Sequence, residues 1–116
     1  MITLEHIATE TLANEGFTWA RGKSNPGFGY MVAIPVYGKV IRGWDGSTGA
    51  VASFVAEHIL RVSASDSLWF GSWVEDGDLY LDISENVIER EKALEAGRRR
   101  GEISVWDCEA GEVVYC

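Results

Sequence analysis

LWFGSWVEDGDLYLDI, residues 68–83, contains two alternating segments joined by an acidic turn, and its reading decides the fold. Side chains alternate across a strand, so Leu68, Phe70, Ser72 and Val74 share one side with Leu79, Leu81 and Ile83 of the returning segment. Trp69 and Trp73 then lie on the opposite side with Tyr80 and Asp82. Asp76-Gly77 between two such runs is a strong hairpin signal, because both residues tolerate the left-handed backbone that a tight turn needs. If the aliphatic side meets helices, the aromatic side faces outward.

Similar hairpins are expected on either side of this one. Upstream, Leu4, Ile7, Ala8, Thr11 and Leu12 recur at helical spacing behind a Thr3 cap, with Gly16 as a stop. Strands are predicted at Phe17–Ala20 and Tyr30–Val36 around a Gly/Pro/Ser/Asn loop from Gly22 to Gly29, with Val40 and Ile41 extending the sheet past Gly38. Asp45 to Thr48 supply turn and capping residues ahead of a second helix carrying Val51, Phe54, Val55, His58, Ile59 and Val62. A third helix, Glu89 to Arg100, presents Ala93, Leu94 and Gly97 on one face, with Gly101 just beyond. Ile103–Asp107 and Val113–Tyr115 make the last hairpin. The expected architecture is one α+β domain over residues 1–116, a two-layer sandwich with a mainly antiparallel sheet and three helices, in the order α-β-β-α-β-β-α-β-β.

Charge narrows the function classes. The 116 residues carry a net charge of -8. Residues 1–58 hold five acids and four bases, whereas residues 59–116 hold thirteen acids and six bases. That acidic half repels phosphate backbones and no basic stripe offsets it, so direct nucleic-acid binding is disfavoured and a protein partner with a basic surface is favoured. The simplest reading of the same charge is solubility alone. Val32 to Val40, the most apolar run, is broken by Pro35, Gly38 and Lys39, so no membrane span is expected. Cys108 and Cys116 match no paired zinc spacing and no secretory leader is evident, so both read as free thiols of a cytoplasmic protein.

Reactive constellations are sparse. Arg21-Gly22-Lys23-Ser24 is similar to the end of a P-loop, but Gly16 stands one residue too far upstream and Pro26 follows where a helix should open. Gly27-Phe28-Gly29 lacks the third glycine of a dinucleotide fingerprint. Gly46-Ser47-Thr48-Gly49 before the second helix is a better anion candidate, since free amides and the helix dipole converge there. It defines an alternative function, a small anionic-ligand or nucleotide site built from Ser47 and Thr48 with Arg21, Lys23 and Arg42 as charge partners. Glu75, Asp76, Asp78 and Asp82 do not match a calcium loop and read as a solvated turn. His6 and His58 lack companions at metal spacing, so no metal or cofactor is expected. Arg98-Arg99-Arg100 complements the dipole at a helix end. No catalytic residue is expected, although Cys108 and His58 are the groups on which hydrolytic or transfer chemistry would rest.

The stretch Leu79-Tyr80-Leu81-Asp82-Ile83-Ser84, with Ala93-Leu94, Gly97-Arg98, Trp106-Asp107 and Gly111-Glu112, resembles small accessory proteins of actinobacterial phages and mobile elements over residues 79–114. At the position where such proteins tend to carry glutamine before the last strand pair, this chain has Glu102. The resemblance implies a protein that binds and modulates or disables a host factor, as in defence evasion, in the host cytoplasm. The surface that would serve is Trp69, Trp73, Tyr80, Asp82 and Trp106, aromatic anchors beside acidic hairpins. Either edge strand or the aromatic face also offers a homodimer contact, among which the sequence does not choose.

Overall fold

The computed structural model describes residues 2–14 and 16–116. Its elements are α1 (Leu4–Asn14), β1 (Gly16–Ala20), β2 (Lys23–Ser24), β3 (Tyr30–Ala33), a 3-10 turn (Pro35–Tyr37), β4 (Lys39–Ile41), α2 (Gly49–Ser63), β5 (Leu68–Glu75), β6 (Asp78–Val87), α3 (Arg90–Arg99), β7 (Ser104–Asp107) and β8 (Glu112–Tyr115). All eight strands join one antiparallel sheet in the order β2-β1-β5-β6-β3-β7-β8, with β4 also on β6. The α+β class and the succession of helices and strands match the expectation. The first unit differs from it, having four short strands where two were expected.

The β5–β6 hairpin is the centre of the sheet. Asp76 and Gly77 both have positive φ, 52° and 80°, which closes a two-residue turn whose twist suits the flanking strands. Eight cross-strand pairs follow, from Glu75↔Asp78 to Leu68↔Glu85. The last unit forms the expected hairpin, β7 with β8, whereas the two main strands of the first unit do not pair with each other. β1 pairs with β5 and β3 pairs with β6, so the first unit's strands are split around the second unit's hairpin. Gly16, expected as a helix stop, is the first residue of β1. The strand predicted to run to Val36 ends at Ala33, because Pro35 lacks a backbone donor and starts the 3-10 turn.

Register assigns the two faces. Phe17 and Trp19 of β1 stand beside Ser72 and Phe70 of β5, which stand beside Leu81 and Ile83 of β6. These side chains meet α1 and α2 through Ile7, Val51, Phe54 and Val62 in the main core. Phe54, Phe70, Leu79, Leu81 and Ile83 are all fully buried, and each stabilises by about 1.5–3 kcal/mol relative to an exposed side chain. Ser72 interrupts this apolar row and is matched by Thr11 of α1, their hydroxyls 2.6 Å apart. The α3 helix covers Val32 and Val105 on the same side through Ala93, Leu94 and Ala96. All three helices therefore cover one face. Thr3 caps α1 as expected, its Oγ1 accepting from the amide of His6 at 3.1 Å.

Arg21 ties the end of α2 to the sheet. Its Nη1 donates to the carbonyls of Val62, Ser65 and Leu68 at 2.8, 2.5 and 2.8 Å, and its guanidinium lies 5.1 Å from the Trp69 ring centre. It therefore occupies the carbonyls that a helix leaves unpaired at its C-terminus. We expect Arg21→Ala to lower the urea-derived unfolding free energy by about 2–3 kcal/mol, and Arg21→Lys to recover less than half of that loss, since a point charge cannot fork to three acceptors. A loss within experimental error for Arg21→Ala would contradict this role.

Candidate acidic and aromatic face of the sheet

The face opposite the helices carries every second residue of the same strands. Along β5 these are Trp69, Gly71 and Trp73, paired with Ser84, Asp82 and Tyr80 of β6. Trp73 and Tyr80 stack with ring centres 4.1 Å apart and planes 11° from parallel. Trp73 remains 39% exposed. Across β1, Gly16 stands beside Trp73 and Thr18 beside Gly71, so the floor on that side is built of small residues.

Asp82 sits in the middle of this face, and Gly71 is what admits it. A Cβ added at Gly71 would lie 2.3 Å from Asp82 Oδ1, so the carboxyl leans over the glycine between the two tryptophans. The Ser84 hydroxyl donates to Oδ1 at 3.3 Å. Burial pushes the Asp82 carboxyl up to about 6, helped by the nearby Glu102 charge and opposed by hydrogen bonds from Ser84 and Trp73. Among the described residues no basic side chain forms an ion pair with it. Two arginines that reach β6 are engaged elsewhere on it: Arg42 pairs with Asp78 at 2.6 Å and Arg100 with Glu85 at 2.6 Å.

The five residues expected to form one partner surface are thus divided. Trp73, Tyr80 and Asp82 are contiguous. Trp69 is on the same face but only 8% exposed and belongs to the core, so it is not a surface anchor. The Arg21 guanidinium covers its ring at 5.1 Å. Trp106 is 44% exposed, yet it stands level with Met31 and Asn86. That is four residues along β6 from Asp82, on the order of 13 Å. It forms a separate patch with Val113. Glu102, which adds charge beside Asp82, follows α3 and has no local pattern that would signal this contact.

The alternative anion site does not assemble. Arg21 is bound at the C-terminal end of α2, while Ser47 and Thr48 precede its N-terminus; the 15-residue helix between them is about 22 Å long. Arg42 is committed to Asp78, the Ser47 amide donates to Asp45 Oδ1 at 2.9 Å, Thr48 makes no side-chain cap bond, and Lys23 is exposed on edge strand β2. The edges of the sheet available for self-association are β2 and β8.

Other reactive groups are structurally employed. His58 is buried, its ring 4.7 Å from Phe54 and 5.4 Å from Tyr37, and its Nδ1 accepts from Arg61 at 2.9 Å. It borders a cleft of about 530 Å³ with Tyr37, Lys39, Glu57 and Arg61, but Arg61 is itself stacked 4.4 Å over Tyr37. Burial and the Asp107 charge push the Cys108 thiol up to about 11, which leaves little thiolate at neutral pH. Among the described residues no group of three or more His, Cys, Asp or Glu is placed to hold a metal ion, and no helix is long and apolar enough to cross a membrane.

No family model, curated protein or solved structure matches this chain. The site's properties therefore rest on its own geometry, and Asp82 gives the most direct measurement. Its folded pKa is raised above the ordinary aspartate value of 3.8, so the fold binds an extra proton between about pH 4 and 6 and loses stability as pH rises through that window. Asp82→Asn is expected to stabilise the protein at pH 7 by about 1–3 kcal/mol and to show no difference from the parent near pH 3. Denaturant unfolding of both proteins from pH 3 to 8 tests this. A variant less stable than the parent at pH 7 would refute it.

Proposed function

We propose that this chain is a non-enzymatic binding protein that docks a basic surface of another protein on the helix-free face of its sheet. The observation carrying this reading is the Trp73–Tyr80 stack, with Trp73 exposed, beside Asp82, a half-buried carboxyl without an ion-pair partner among the described residues. Stacked aromatics supply rigid contact area with little rotamer entropy to lose on binding. Glu75, Asp76 and Glu102 surround the aromatics with further negative charge, which speeds the approach of a basic partner and disfavours acidic ones. Trp106 and Val113 provide a second apolar contact on the same face.

The resemblance of residues 79–114 to phage and mobile-element accessory proteins supplies the biological direction: the partner is a host protein, and binding modulates or inhibits it. That context rests on the resemblance alone. The engaged state of His58 and the high pKa of Cys108 favour binding over catalysis. The scattered placement of Arg21, Lys23, Arg42, Ser47 and Thr48 gives no support to an anionic ligand at that set.

Affinity capture from the host, followed by Kd measurement on the purified partner, tests the proposal. Trp73→Ala combined with Tyr80→Ala is expected to weaken binding about 30-fold or more while circular dichroism is preserved. Binding should also weaken as ionic strength rises. A partner held equally well by the parent and the folded double variant would overturn the placement of the interface.

A further inference from the structure

We infer that the notch on the β1 side of the Trp73 indole, floored by Gly16 and Thr18, receives one arginine side chain of the partner, its guanidinium lying against the indole and pairing with the Asp82 carboxylate. This rests on the docking reading above and narrows it to a single side-chain chemistry.

The notch has a defined shape. Trp73 is flanked along β6 by Tyr80, which covers one face of the indole, and across β1 by Gly16, which adds no side chain. A flat group can therefore approach the indole from the β1 side over Gly16 and Thr18. Asp82 Oδ1 lies directly over Gly71, within reach of a group so placed. Any residue larger than glycine at position 71 would fill the space and displace the carboxyl.

The electrostatics call for a cation. Asp82 is flanked by Glu102 and hydrogen-bonded by neutral groups, Ser84 and Trp73. Arg42 and Arg100 are bound to Asp78 and Glu85, and Lys39 of β4 stands level with Leu81, whose side is the helix-covered one. Two carboxylates near each other without a cation form an unfavourable arrangement that an arriving positive charge relieves.

Arginine fits better than lysine. A guanidinium is planar, weakly hydrated and able to stack on an aromatic ring while its edge donates two hydrogen bonds to a carboxylate. An ammonium can do the last only as a point charge. The fold already contains two such contacts, Arg21 at 5.1 Å from the Trp69 ring and Arg61 at 4.4 Å from Tyr37. Trp69 is one pleat away from Trp73 on the same strand and face, and its guanidinium comes from the chain itself. Trp73 has no such contact among the described residues.

The probes are tri-arginine, tri-lysine and tri-citrulline amides, added at pH 7.5 while the five indole N–H signals are followed by NMR. Tri-arginine should shift the Trp73 signal with millimolar affinity, tri-lysine should bind at least about 5-fold more weakly, and tri-citrulline should leave the signal in place. Asp82→Asn should weaken tri-arginine about 10-fold, whereas Glu112→Gln, the same charge change on β8, should weaken it less than about 2-fold. Absence of a Trp73 shift with tri-arginine at about 10 mM overturns the inference. So does an equal response to lysine or citrulline, or equal weakening by the two variants, which would reduce the effect to net charge. If these outcomes occur while Trp73→Ala with Tyr80→Ala still abolishes capture of the natural partner, the docking face stands and only the guanidinium assignment falls.

Discussion

The register of the β5–β6 hairpin is the constraint on which the other features depend. The Asp76-Gly77 turn sets it, and eight cross-strand pairs propagate it. Because side chains alternate, a one-residue slip would send Phe70, Leu81 and Ile83 to solvent and bring Trp73, Tyr80 and Asp82 beneath the helices. The central position of the hairpin extends this control to the whole sheet: β1 takes its register from β5, and both β3 and β4 take theirs from β6. The same alternation that buries the aliphatic row therefore builds the acidic and aromatic face.

The local parts of this arrangement were legible in residues 68–83 and in the three helix patterns. The turn, the two faces and the Thr3 cap each depend on residues within a few positions of one another. The interleaving of strands was not legible, because pairing β1 with β5 joins residues more than fifty positions apart and no spacing records it. For the same reason Arg21 reads locally as part of a phosphate-loop-like string, whereas its partners are the carbonyls of Val62, Ser65 and Leu68. Trp69 has the alternation of an exposed residue and is buried, with the guanidinium of the distant Arg21 over its ring. Glu102 reaches the neighbourhood of Asp82 only because β7 is placed beside β3.

Asp82 shows how the site and the stability of the fold oppose each other. A serine or asparagine would satisfy the hydrogen bonds of Ser84 and Trp73 without burying a charge. The carboxyl instead raises the free energy of the folded state at neutral pH. Strain of this kind is expected where a surface is poised for a ligand, since the arriving group recovers what the free protein lacks. A guanidinium that neutralises Asp82 would relieve the desolvated charge and the repulsion from Glu102 together, so the gain on binding includes a cost already present in the unbound protein.

The same charges also control self-association. An aromatic patch on a helix-free sheet would ordinarily favour face-to-face pairing of two copies. Here each copy would bring Asp82, Glu102, Glu75 and Asp76 against an identical set, and like charges brought together across a drying interface are costly. The edges are restrained differently, since β2 is two residues long and ends the sheet on one side. If this face docks a partner as proposed, the acidic residues around Trp73 and Tyr80 favour a basic protein over a second copy of this chain.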